Sequence, residues 1–142
     1  MIRVEDKITE NIIQLLFDLN WNDVVKQQNA IIELTKRTDY DLRLFIAPLH
    51  YELCKNHDVW WKDIAEGCAR VINNKSDKEI ITALPELFVW FQDLNWPGGD
   101  IVAARLKKIP YFKIEKYVNE TIIKAQQKND DEWVKWLSCL TK

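Results

Sequence analysis

The chain has 142 residues, enough for one domain, and its 47 % hydrophobic content with seven Trp, four Tyr and five Phe excludes a disordered polymer. Only three Gly and four Pro punctuate it, too few for a turn-rich β-sandwich. Twenty Lys and Arg stand against twenty-two Asp and Glu, and a net charge of −2 argues against nonspecific binding to a nucleic acid.

In chain order, apolar residues recur at helical spacing through 7–20, 22–37, 40–55, 58–73, 77–95, 98–109, 111–128 and 130–141. Eight such helices pair naturally into four hairpins. The opening Met-Ile-Arg-Val-Glu-Asp-Lys has no apolar signal core, and no stretch approaches the roughly 20 apolar residues of a membrane span. The expectation is a cytoplasmic chain that does not enter membranes. Pro48 and Pro85 fall inside apolar helical patterns, where each is predicted to kink or split its segment. Ser76-Asp77-Lys78-Glu79 has the form of a capping box. Asn95-Trp96-Pro97 predicts the end of one helix and the start of another, with Pro at the first helical position. Asp130, Asp131 and Glu132 put negative charge where the last helix dipole favours it.

The chain also repeats itself. Asp18-Leu19-Asn20-Trp21 recurs as Asp93-Leu94-Asn95-Trp96, an offset of 75 residues. Upstream, Ile12, Ile13, Leu15 and Leu16 fall opposite Leu87, Phe88, Trp90 and Phe91. At about half that offset Pro48 falls opposite Pro85, and Trp21, Trp61, Trp96 and Trp133 are spaced by 40, 35 and 37. A period near 37 lies at the lower edge of HEAT-type helical repeats. The expected fold is therefore all-α: a short right-handed, HEAT-like α-solenoid of four helix hairpins forming one domain over residues 1–142. A single hairpin cannot bury its apolar face, so stacking completes the core and lines an inner surface with the second helix of each pair.

Leu84-Pro85-Glu86-Leu87, Trp90, Gln92-Asp93 and Asn95-Trp96-Pro97 resemble the signature of a small bacterial family of unknown function, in which a Leu-Pro-Glu-Leu helix runs into Gln-Asp-Met-Asn-Trp-Pro. Asn129-Asp130-Asp131-Glu132-Trp133 and Lys135-Trp136 resemble its closing helix. The resemblance covers approximately the last 65 residues and departs at Gly98-Gly99, where a stronger helix former is expected. Such domains are similar in type to helical proteins encoded beside bacterial polymorphic toxins. The resemblance thus implies an immunity protein that neutralises a toxin by binding it.

Candidate chemistry is thin. His50, Cys54 and His57 share roughly one helix face and are zinc-ligand types. A closed site would need Cys68 as well, and a histidine near a helix end commonly caps carbonyls. No orienting group or oxyanion motif accompanies them as a Cys–His nucleophile. Asp63 and Glu66 stand one turn apart like a hydrolase pair, but Arg70, four residues beyond Glu66, predicts a salt-bridged surface instead. The three cysteines, Cys54, Cys68 and Cys139, lack paired spacing and read as free thiols. Trp60 and Trp61 are adjacent, so both cannot lie at the centre of one narrow buried stripe. Trp133 with Trp136, Leu137 and Leu140, and Trp90 with Leu87, Phe91 and Leu94, read as core.

These readings predict a non-catalytic protein-binding module with no cofactor and no bound metal. Its surface is expected to be built from Trp61, Asp63, Glu66, Arg70, Arg105 and Lys108, with Lys26 and Gln27 as further polar positions. Two alternatives remain: a small metal-binding protein using His50, Cys54 and His57, and, from the charge, a nucleic-acid-binding repeat. Residues 101–142 hold nine bases and five acids, and Arg105, Lys107, Lys108, Lys113 and Lys116 would serve a nucleic-acid-binding repeat.

Overall fold

The computed structural model describes the backbone of residues 4–141, and side chains for 10–46 and 50–141. Among these residues every regular element is helical, with no strand. The α-helices are α1 Val4–Asp18, α2 Val24–Lys36, α3 Ala47–Asn56, α4 Trp61–Asn73, α5 Asp77–Ile81, α6 Leu84–Leu87, α7 Gly99–Lys107, α8 Glu115–Gln127 and α9 Asp131–Ser138. Short 3₁₀ turns run over Leu42–Phe45, Phe88–Gln92, Tyr111–Lys113 and Cys139–Thr141.

Local chemistry sets the boundaries. The Asp23 carboxylate accepts from the Lys26 amide at 3.0 Å and starts α2. Ser76 and Glu79 form the reciprocal capping box of α5, and Asp130 caps α9 by accepting from the Trp133 amide at 3.1 Å. Both prolines split their segments. Pro48 enters at the first turn of α3 and Pro85 at the first turn of α6, where a missing amide hydrogen leaves no bond unmade.

Pro97 does not begin a helix. Gly98 takes that junction at φ 86°, and α7 starts at Gly99. A Cβ on Gly98 would stand 2.6 Å from the Cβ of Ala69 and 3.1 Å from the Ala65 carbonyl. The glycine that looks like a weak helix start is what lets α7 close onto α4.

Helix α4 lies at the centre, packing on α1, α2, α3, the Leu42–Phe45 turn and α7. Its buried positions include the small residues Ala65, Gly67, Cys68 and Ala69, which admit neighbouring backbones closely. A Cβ at Gly67 would lie 2.8 Å from both Leu19 Cβ and Leu19 O. On the other side of α7 lies the Phe88–Gln92 turn, which precedes it in the chain and packs on α3 and α7, and α9 packs on that turn and on α8. Trp90, Phe88, Phe91 and Leu87 are fully buried there, and the Trp133 indole donates to Phe88 O at 2.8 Å.

A polar staple joins the carboxyl ends of α2, α4 and α7. Lys75, just past α4 and 4 % exposed, sends its ammonium to Arg37 O at 2.6 Å and Thr35 O at 3.2 Å. Its own carbonyl accepts from the Arg105 guanidinium at 2.8 Å, and Arg105 also pairs with Asp77 at 2.7 Å. A cation on the last carbonyls of a helix satisfies orphan acceptors and opposes the negative dipole end. No helix among the described residues is long and apolar enough to cross a membrane.

Candidate functional site

The opposite ends of these helices hold a group of four tryptophans, Trp21, Trp60, Trp61 and Trp96. Three helix junctions (18–23, from the end of α1 to the start of α2, 57–63, running into the first turn of α4, and 93–100, running into the first turn of α7) lie side by side. The Trp21 amide donates to Asp63 O at 3.1 Å, and its indole to the Asp63 carboxylate at 3.0 Å. Trp61 meets Trp96 edge-on with ring centroids 5.6 Å apart, and Trp60 lies 6.3 Å from Trp61. Within this edge Trp21 is 62 % and Trp60 is 56 % exposed. Trp61 and Trp96 are half-buried and tie the edge to the core. Val24 and Val25, at the start of α2, are exposed beside Trp21 in sequence.

The sequence-predicted surface residues divide between two places. Trp61 and Asp63 belong to this aromatic edge, with Asp63 committed to orienting Trp21. Glu66 and Arg70 pair at 2.7 Å, each about half exposed, which is the salt bridge expected from their spacing. Arg105 and Lys108 sit at the far end of α7, about 12 Å along a helix axis from its start. Arg105 is only 12 % exposed, its guanidinium spent on Lys75 and Asp77. Gln27 is buried, its amide donating to Leu19 O at 2.9 Å, while Lys26 is exposed. The structure therefore does not join the six into one patch. Polar residues expected to face outward instead fasten neighbouring elements together, Gln27 to Leu19 and Arg105 to Lys75 and Asp77.

Trp21 and Trp60 are exposed indoles that were not among the expected surface residues. A signal existed for Trp21: it follows a helix-ending Asp-Leu-Asn and precedes the capping Asp23, so it falls in a connection rather than on a buried stripe.

The histidines and cysteines are placed apart in role. His57 ends α3, its Nδ1 2.9 Å from Leu53 O, and stacks near Phe17 with centroids 5.0 Å apart. His50 is 1 % exposed, and neither ring nitrogen meets a hydrogen-bonding partner. Burial pushes the Cys54 thiol up to about 11 and the Cys68 thiol well above its usual range. A nucleophilic thiolate needs the opposite shift. Among the described residues no group of three or more His, Cys, Asp or Glu is placed to hold a metal ion. Cys54, Cys68 and Cys139 are free thiols.

Burial lowers the His50 imidazole to about 4, against about 6.5 in an unfolded chain. Between those values the unfolded state binds more protons, so stability is intact above pH 6.5 and is lost as pH falls towards 4. The expected loss over that window is about 3 kcal/mol. Urea unfolding of wild type and His50→Leu at neutral and acid pH checks this. The variant is expected to lack this part of the acid dependence.

Residues 62–141, from α4 to the last turn, match the family model described as Domain of unknown function (DUF5071). That is more than half of the chain. The protein belongs to the DUF5071 family. The DUF5071 match includes Trp96 and the α4–α7 contact, whereas Trp60 lies just before it and Trp21 well upstream. No curated protein and no solved structure matches the chain.

Proposed function

We propose that this DUF5071 protein is a non-catalytic protein-binding module of the cytoplasm, shaped as a right-handed, HEAT-like α-solenoid of four helix hairpins. Packing supports the solenoid reading, since it runs from α1–α2 to α4, from α4 to α7, and from Phe88–Gln92 to α9. The Asp-Leu-Asn-Trp repeat and the like positions of Pro48 and Pro85 at helix starts support it too. The observation that carries the binding reading is the pair of indoles, Trp21 and Trp60, held largely in water on one edge. Tryptophan is the residue type most enriched among interface anchors, and partner burial would remove its apolar area from water.

The narrower version is an immunity protein that occupies a bacterial toxin's active site or a surface next to it. Coexpression with the products of the neighbouring reading frames tests it. The expected result is a stoichiometric complex on size-exclusion chromatography and relief of toxicity. Trp21→Ala with Trp60→Ala should weaken that complex at least about tenfold. Absence of a complex with every neighbouring product removes the immunity version.

A second reading rests on the basic far end. Lys107, Lys108, Lys113 and Lys116 are exposed there beside Phe112, which is 77 % exposed, and make no ion pair among the described residues. A salt-sensitive gel shift with a short DNA duplex would favour nucleic-acid binding.

A further inference from the structure

The three helix junctions that build the aromatic edge, first-turn residues of α4 and α7 included, are strongly one-sided in charge. Residues 18–23, 57–63 and 93–100 contain Asp18, Asp23, Asp58, Asp63, Asp93 and Asp100, and Lys62 as their one Lys or Arg (1 − 6 = −5). None of the six aspartates forms an ion pair among the described residues. Elsewhere the habit is the reverse: Arg37, Arg43, Arg70 and Arg105 each meet a carboxylate within 2.7 Å. Lys62 lies 5.6 Å from the Trp60 ring centroid and 5.7 Å from that of Trp61, so these rings already receive a cation. Trp21 is held by two hydrogen bonds to Asp63, which lowers the ordering cost of using it as an anchor.

We infer that this edge takes a basic protein surface, with arginine or lysine side chains laid against Trp21 and Trp60 and matched by the unpaired aspartates. The inference rests on the protein-binding reading and names the chemistry of the partner. A polyanion or an anionic lipid surface is repelled by the edge. A small cation would answer the charge but leave both indoles in water. A basic protein surface covers the rings and neutralises the carboxylates together, and Arg is suited to both because its planar cation stacks on indole.

The probe is a short labelled peptide of alternating arginine and glycine, with a glutamate–glycine peptide as control, titrated with the full chain by fluorescence anisotropy. Saturable binding of the arginine peptide is expected, weakening severalfold between about 50 mM and about 300 mM salt, where the Debye length shrinks well below 10 Å. The control should not bind. Trp60→Ala is expected to weaken binding at least about tenfold, Asp58→Asn with Asp100→Asn to weaken it and flatten the salt dependence, and Lys62→Gln to tighten it. Asp58, Trp60, Lys62 and Asp100 are all exposed, and unchanged circular dichroism and melting establish that the variants fold. If Trp60→Ala does not fold, the aspartate pair alone decides.

The proposal is overturned by an arginine peptide that fails to bind, or that binds the Trp60 and aspartate variants as well as wild type. Sedimentation equilibrium gives a further check: self-association abolished by Asp58→Asn with Asp100→Asn would make a second copy the occupant, and overturns it too. The two readings fail separately. A complex with a neighbouring gene product that survives the edge variants leaves the protein-binding function standing and removes this surface. Peptide binding at the edge without any such complex removes the immunity version and keeps the surface.

Discussion

Gly98→Ala is expected to destabilise the protein by about 2–5 kcal/mol, because two independent effects act at one residue. The backbone there has φ 86°, a left-handed conformation that costs an L side chain about 1–2 kcal/mol. The added methyl would also stand 2.6 Å from Ala69 Cβ on α4, and overpacking of that kind costs about 1–3 kcal/mol when backbones must part. The two contributions can be separated. Ala69→Gly removes the opposing methyl without altering φ, so Gly98→Ala with Ala69→Gly should recover the steric part only. Chemical denaturation of the four proteins in this cycle measures the coupling, expected at about 1–3 kcal/mol and favourable to the double variant. A coupling near zero would mean that α7 does not close on α4 through this contact.

Helix existence was legible in the sequence because long apolar periodicity is imposed by burial itself, and each of the eight predicted segments contains a helix. Capping was legible for the same reason that it works. Ser76 with Glu79, and Asp130 before Trp133, carry side-chain acceptors at the spacing that the free amides require. Pro97 misled because proline's preference for a helix start is local, whereas the start of α7 is set by how closely it approaches α4 across the fold. Arg105 misled similarly. On a helical wheel it is a polar position like Lys108, and only the neighbouring turn brings Asp77 and the Lys75 carbonyl within its reach. The exposed indoles were half legible. Adjacency of Trp60 and Trp61 meant that they could not share a narrow stripe, but the expected surface took Trp61, whereas Trp60 is the exposed one and Trp61 is half-buried. That the edge also gathers six unpaired aspartates depends on three connections far apart in sequence meeting in space.

The other large effect is expected at Lys75. Its ammonium is buried, yet its partners are chiefly the carbonyls of Thr35 and Arg37 at the end of α2, not an opposing charge. The Tyr40 ring lies beneath it with the cation 5.0 Å from the centroid, and the Tyr40 hydroxyl donates to Leu34 O at 2.6 Å. Lys75→Ala would remove the apolar stem together with two charge-assisted hydrogen bonds, and would leave the carbonyls facing a gap. The expected loss is about 3–4 kcal/mol, or roughly a 10 °C fall in Tm for a chain of this size. The Glu79 carboxylate, 3.5 Å from the same ammonium and 39 % exposed, is the contrasting case. Glu79→Gln should cost under about 1 kcal/mol, since a partly exposed ion pair contributes little and glutamine keeps the hydrogen-bonding reach towards Ser76. If the glutamate variant proved as damaging as Lys75→Ala, charge pairing rather than carbonyl capping would be what fastens the first helix pair to the rest.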